Sequence, residues 1–283
     1  MISLQSDLLY IEVNPVGAEL SSVFSKKSRI EYLWQGGEEW RYRAPALFPI
    51  VGRLKNGAYT HKGKSYSMQI HGFLHDRPFD VIETTVDSVH FRTTSDAETL
   101  KIYPFGFVLD FIFTLKWNEI KIEYRVTNNG KTPLLYNIGA HEGFICPRHE
   151  GELFSDYWLD FGGQITQTAL NASGLLLNKT GVLNGKFDFS DGAFVNESIV
   201  ITSLPSNSVQ LASKKSKERL EIRYYDAPNL VLWSPTKRFV CIEPWWGLPD
   251  YENASGELSQ KSGIIVQFPG ETREFLRSIL IYE

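Results

Sequence analysis

Four polar residues stand where the surrounding sequence is apolar or rich in Gly and Pro: Arg53, His71, His141 and Glu243. Glu243 closes the run Val240-Cys241-Ile242-Glu243 and precedes Pro244-Trp245-Trp246-Gly247. A carboxylate in that setting is expected to be partly buried, and burial raises its proton affinity and its strength as a base. His141 sits among small residues in Gly139-Ala140-His141-Glu142-Gly143, which leave room for a reactant to approach. Its imidazole titrates near neutrality and suits general acid work. Arg53 ends Ile50-Val51-Gly52-Arg53, where a guanidinium can donate to hydroxyl or ring oxygens or pair with a carboxylate such as Glu243. His71, in Ile70-His71-Gly72-Phe73, precedes a Gly that permits a tight turn or close approach of a ligand. Taken singly, Arg53 and His71 read as structural residues at least as well as functional ones. Trp245 and Trp246 are core aromatics by default, although an indole beside a carboxylate also suits the C–H face of a sugar ring.

Other chemistries fail at the sequence level. There is no Gly-rich phosphate loop, no His-Glu-x-x-His pattern and no Gly-x-Ser-x-Gly elbow. The charge balance, 29 Lys and Arg against 33 Asp and Glu, argues against nucleic acid or an anionic membrane as partner. The N-terminal residues lack the pattern of a signal peptide, and no stretch approaches the roughly 20 apolar residues of a membrane span, so a cytoplasmic protein is expected. Cys146 and Cys241 have no neighbouring Cys and read as reduced core thiols.

The elements that must position these residues are strands. Leu109, Phe111, Phe113 and Leu115 alternate with other residues, as do Ile120, Ile122, Tyr124 and Val126, and Trp117-Asn118-Glu119 between them reads as the turn of an antiparallel hairpin. Similar short runs recur at 8–13, 20–24, 66–70, 89–93, 199–204, 209–211, 220–225, 231–233, 239–242, 264–268 and 275–282, separated by Gly, Asn, Pro and Ser clusters. Many short strands with intervening turns predict an all-β fold, a large antiparallel β-sandwich. The polar stretch 162–190 predicts a long loop or hairpin excursion. No composition shift marks a boundary, so residues 1–283 are expected to form one domain.

Together the segments Leu47-Phe48-Pro49-Ile50-Val51-Gly52-Arg53-Leu54, His71-Gly72-Phe73, Tyr103-Pro104-Phe105, Gly139-Ala140-His141 and Cys241-Ile242-Glu243-Pro244-Trp245 resemble the aldose 1-epimerase (galactose mutarotase) family, closest to its LacX-like branch. They occur in the family's order and span most of the chain. The resemblance implies a β-sandwich of the galactose-mutarotase type with a sugar in an open cleft, Glu243 as general base at the anomeric hydroxyl and His141 as general acid at the ring oxygen. Arg53 and His71 match substrate-binding positions, and Trp246 is a candidate wall for the sugar ring. No cofactor and no metal are implied. The family's Asp between the second His and the base is replaced by Glu197 or, nearby, Asp191, and its usual Pro after the second His is Glu142. Expected substrates are free hexoses. The alternatives are a hexose-6-phosphate mutarotase, for which Arg41, Arg43 and Arg77 would supply cations, and a non-catalytic carbohydrate-binding or sensing protein. The sequence fits a monomer or a homodimer equally.

Overall fold

The computed structural model describes residues 1–190, 193, 194 and 198–283. Among them the 109–126 pattern folds as predicted, into the strands Val108–Lys116 and Glu119–Thr127, paired antiparallel with Lys116 opposite Glu119. Trp117 takes the positive φ of 53° that this two-residue turn requires, and its ring is left exposed. The hairpin belongs to a sheet that runs, strand by strand, Lys186–Asp188, Tyr157–Asp160, Ser208–Ser213, Arg219–Arg223, Thr272–Tyr282, Glu119–Thr127, Val108–Lys116, Ser88–Thr94 and Asp80–Thr84.

A second large sheet faces it, in the order Leu176–Leu183, Ile165–Leu170, Ser198–Ser203, Asn229–Trp233, Phe239–Trp246, Ile138–Ala140 and Ala46–Leu47, with Glu142–Ile145 also paired to Phe239–Trp246. Inward residues of both sheets, such as Phe111, Ile122 and Tyr124 on one and Leu232, Val240 and Ile242 on the other, share one buried cluster. The fold is therefore antiparallel β throughout its main sheets, as the alternation predicts, and its α-helix among the described residues is the six-residue Ala97–Ile102. The 162–190 stretch is resolved as a hairpin excursion rather than a loop: Ile165–Leu170 and Leu176–Leu183 extend the second sheet, and Lys186–Asp188 joins the first.

Phe239–Trp246 differs from the edge strands in being buried along its whole length. A strand covered on both faces reads as a continuous apolar run, so its sequence gives no sign of which side each residue faces. Its odd residues point away from the intersheet core and its even residues into it. Val240, Ile242 and Trp246 belong to the main core, whereas Phe239 and Cys241 pack with Trp34, and Trp245 packs with Leu47 and Val51. No helix among the described residues is long and apolar enough to cross a membrane, and both cysteines are free and buried.

Candidate active site

A cleft of about 1180 Å³ opens on the outer face of the second sheet, and Arg53, His71, His141, Glu243 and Trp245 all line it. Register explains how His141 and Glu243 meet. Gly139 lies opposite Trp245 and Glu142 opposite Ile242, which puts His141 directly across from Glu243 on neighbouring strands. Pro244 lacks the N–H that a regular ladder needs, and the partner strand is interrupted between Ala140 and Glu142. On its other side Glu243 pairs with Val231, and Trp233 pairs with Cys241, so Val231 and Trp233 continue the cleft floor.

His141 Nε2 and Glu243 Oε2 are 3.3 Å apart. Both side chains are buried, and neither Glu243 Oε2 nor His141 Nδ1 makes a hydrogen bond. Burial depresses the His141 imidazole to about 3. It holds the Glu243 carboxyl well above the usual carboxylate range, with the Glu142 charge adding to the rise and the Trp245 indole N–H opposing it. Burial thus favours the protonated form of Glu243 and the neutral form of His141.

The pH dependence of stability follows. Glu243 binds its proton more tightly in the folded than in the unfolded protein, so its burial costs nothing below the unfolded value near 4.5 and increasingly more as pH rises above it, with a slope of about 1.4 kcal/mol per pH unit. His141, depressed when folded, costs stability only as pH falls below its unfolded value of 6.5. Glu243→Gln is therefore expected to raise the thermal midpoint at pH 8 and to leave it nearly unchanged at pH 4. Equal effects at both pH values in differential scanning calorimetry would contradict the buried, proton-retaining Glu243.

His71 is fixed by the backbone of the 48–52 segment. Its ring Nδ1 accepts from the Gly52 N–H at 3.1 Å, which leaves the proton on Nε2. Its own N–H donates to Gly52 O at 3.0 Å, and the Phe48 N–H donates to His71 O at 3.2 Å. The ring meets His141 edge-on at 5.2 Å and Trp245 at 5.7 Å. Burial, then the neighbouring His141, keep His71 neutral, with a pKa well below 6.5. Its Nε2–H is thus a donor that does not change over the neutral range.

Arg53 is exposed on the cleft wall, and among the described residues it pairs with no carboxylate, so the Arg53–Glu243 pair that the sequence allowed is not formed. Its backbone is braced by Asp250, whose N–H donates to Arg53 O at 2.9 Å and whose carboxylate holds the buried Lys261 ammonium at 3.0 Å. The turn Asn171–Gly174 lies against the Arg53 side chain and closes that end of the cleft.

Trp246 is a correction to the sequence reading. It points to the opposite face of the strand from Trp245, packs on Phe275 at 5.2 Å and donates its indole N–H to Asp226 at 3.1 Å. Successive strand residues face opposite sides, so of the two indoles only Trp245 lines the cleft. Glu197 and Asp191 lie outside the described residues. Trp40 and Trp233 were not singled out from sequence. Trp40 stacks on the His141 ring at 4.9 Å and Trp233 meets it edge-on at 5.6 Å. Trp233 was accessible by counting two residues on from Val231, but Trp40 sits in a loop with no periodicity to reveal it. Gly143 makes room for Trp40, since a Cβ there would lie 2.7 Å from its ring. The small residues around His141 therefore accommodate an aromatic neighbour as well as a reactant.

One grouping among the described residues has metal-ligand types: His141, Cys241 and Glu243, with ligand atoms within 4.8 Å of one another. Burial raises the proton affinity of both the Cys241 thiol and the Glu243 carboxyl, and a cation held there would have to displace those protons.

The facing antiparallel sheets are those of galactose mutarotase-like proteins. A galactose mutarotase related enzyme from Lactobacillus acidophilus superimposes with a TM-score of 0.94 at 31% identity, over 100% of this chain and 97% of that one. A galactose mutarotase-like protein from Lactobacillus casei gives 0.94 at 25% identity, over 100% of both. The chain belongs to the aldose 1-epimerase family, which matches it over residues 1–278. It is also 33% identical over 288 aligned residues to the plasmid-encoded Protein LacX of Lactococcus lactis subsp. lactis, covering 96% of each. Family and fold together support a mutarotase-type activity on a sugar.

Proposed function

We propose that this protein interconverts the α and β anomers of a free hexose, with Glu243 as base and His141 as acid. The observation that carries this is the cross-strand pair itself, 3.3 Å apart at the floor of the cleft, with Glu243 Oε2 and His141 Nδ1 both without a hydrogen-bond partner. In the ring-opening step the Glu243 carboxylate takes the proton from the anomeric hydroxyl, the His141 imidazolium gives its proton to the ring oxygen, and the C1–O5 bond breaks to leave a carbonyl at C1. Rotation about C1–C2 presents the other carbonyl face. Closure then returns both protons, from Glu243 to O1 and from the O5 hydroxyl to His141.

Burial favours this transfer. The working state with cyclic sugar is carboxylate and imidazolium, whereas the state with open-chain sugar is carboxylic acid and neutral imidazole. The second is the state that burial stabilises, so desolvation makes His141 a stronger acid and Glu243 a stronger base. The His71 Nε2–H and the Arg53 guanidinium supply hydrogen bonds and positive charge to the hydroxyls of the bound ring, and Trp245 supplies an apolar wall. The protein acts as one domain, since residues 53 to 243 converge on one cleft.

The cations considered for a sugar phosphate do not assemble. Arg77 is paired with Asp96 at 2.9 Å, Arg43 does not line the cleft, and Arg41 lies at the rim beside the Asp76 carboxylate at 3.5 Å. A phosphate dianion there would meet Asp76. Polarimetry or NMR exchange spectroscopy on glucose and glucose 6-phosphate is the test. The free hexose is expected to be favoured in kcat/KM by at least about tenfold, equivalent to about 1.4 kcal/mol. Faster exchange of the phosphate would overturn the substrate class, and sugar binding without exchange above the spontaneous rate would favour a sensing role.

A further inference from the structure

Behind the cross-strand pair, on the core side of the same ladder, lies a buried charged triad that the proposed mechanism does not use. Glu142 follows His141 and lies opposite Ile242, the residue before Glu243. It faces into the intersheet core, where Arg277 of the Thr272–Tyr282 strand donates Nε–H to its Oε1 at 2.8 Å and places Nη2 2.6 Å from the same oxygen. Arg277 Nη2 also donates to the Tyr124 hydroxyl at 2.6 Å, with the guanidinium 4.4 Å from that ring's centroid. Glu142 is 0% exposed, Tyr124 1% and Arg277 2%.

As a link between sheets this is a poor solution. Glu142 Oε2 and Arg277 Nη1 have no hydrogen-bond partner, and a buried ion pair with unsatisfied atoms is commonly no better than apolar residues of the same volume. The register sets Glu142 opposite Ile242, between Cys241 and Glu243 on the neighbouring strand, and its charge acts on both of these as well as on Tyr124. Building on the proposed acid–base roles of Glu243 and His141, we propose that Glu142 is a positioning residue whose charge, held behind the ladder by Arg277 and Tyr124, sets the strength of Glu243 as a base. The rise in Glu243 proton affinity, to which the Glu142 charge contributes after burial, agrees with this. Among the described residues, the other titratable or charged groups around the pair are Cys241 on the same strand and His71 across the cleft, with His75 and Arg53 acting on His71.

The test is an infrared titration of the Glu243 carboxyl in the sugar-free protein, its C=O band assigned by its loss in Glu243→Gln, beside the pH profile of anomer exchange. Glu142→Gln removes the negative charge, and the Glu243 midpoint is expected to fall by about one pH unit. Arg277→Gln leaves the Glu142 charge uncompensated, and the midpoint is expected to rise by about as much. Opposite signs are the diagnostic result, because a purely structural link would move both variants the same way or neither. Midpoints that stay within about 0.3 pH unit of wild type, or move together, overturn the proposal. Should the single variants not fold because each strands a buried charge, Glu142→Gln/Arg277→Gln decides: a downward shift supports the proposal and no shift overturns it. The infrared readout needs no turnover, so a protein with no mutarotase activity still reports on Glu142, and the two ideas fail separately.

Discussion

Glu243→Gln is expected to slow anomer exchange by about 10³-fold, the middle of the range that a positioned general acid or base contributes. The amide has nearly the volume of the acid, so the buried strand between Asn229–Trp233 and Ile138–Ala140 keeps its packing, but it cannot accept the anomeric proton. Because the proton removed at O1 and the proton delivered at O5 belong to one step, the two side chains act as a unit. Glu243→Gln combined with His141→Asn is therefore expected to be little slower than either single change, where independent contributions would multiply. Polarimetric decay of a freshly dissolved single anomer, read against the spontaneous rate, gives the number, and near-ultraviolet circular dichroism checks the fold. Undiminished exchange in Glu243→Gln would remove Glu243 from the reaction.

The largest effect on stability is expected from Gly72→Ala. Gly72 takes φ +75°, and a Cβ there would stand 2.0 Å from the Phe48 carbonyl oxygen, 2.5 Å from its carbon and 2.7 Å from Pro49 Cδ. Backbone cannot yield as a flexible side chain would, so the 71–73 segment must leave the 48–52 segment. That gives up the Phe73 N–H bond to Phe48 O at 3.0 Å and the Gly52 N–H bond to the His71 ring at 3.1 Å. Left-handed strain and stranded buried polar groups together cost about 3 to 5 kcal/mol. Urea unfolding should show the loss as a lower midpoint with an unchanged slope. The molecules that remain folded should bind sugar poorly, because His71 has lost the contact that fixes its tautomer. A wild-type midpoint in this variant would show that the segment can shift by more than 1 Å at no cost.

Much of this was legible in the residues. Alternation in 109–126 specified a hairpin because one face of that sheet is covered by the core and a slip of one residue would turn every apolar side chain outward. The burial of Glu243 could be inferred from its apolar run. The types Arg, His, His and Glu, in their segments and order, were enough to suggest acid–base chemistry on a sugar. Facing was not legible in Phe239–Trp246, because a strand buried on both sides carries no polar alternation. Trp246 therefore reads from its run as a cleft residue but belongs to the core. Trp40 reaches His141 from a loop through space that Gly143 leaves open, and no local pattern encodes such a contact.

The sequence by itself thus determined the kinds of element and the chemical groups, since both depend on short-range properties: side-chain period, turn residues and intrinsic proton affinities. Only the tertiary structure decided which groups meet and in what protonation state. Register across a ladder interrupted at Pro244 sets His141 against Glu243, and the desolvation that inverts their proton affinities exists only once two sheets and a ring of aromatic side chains have closed around them.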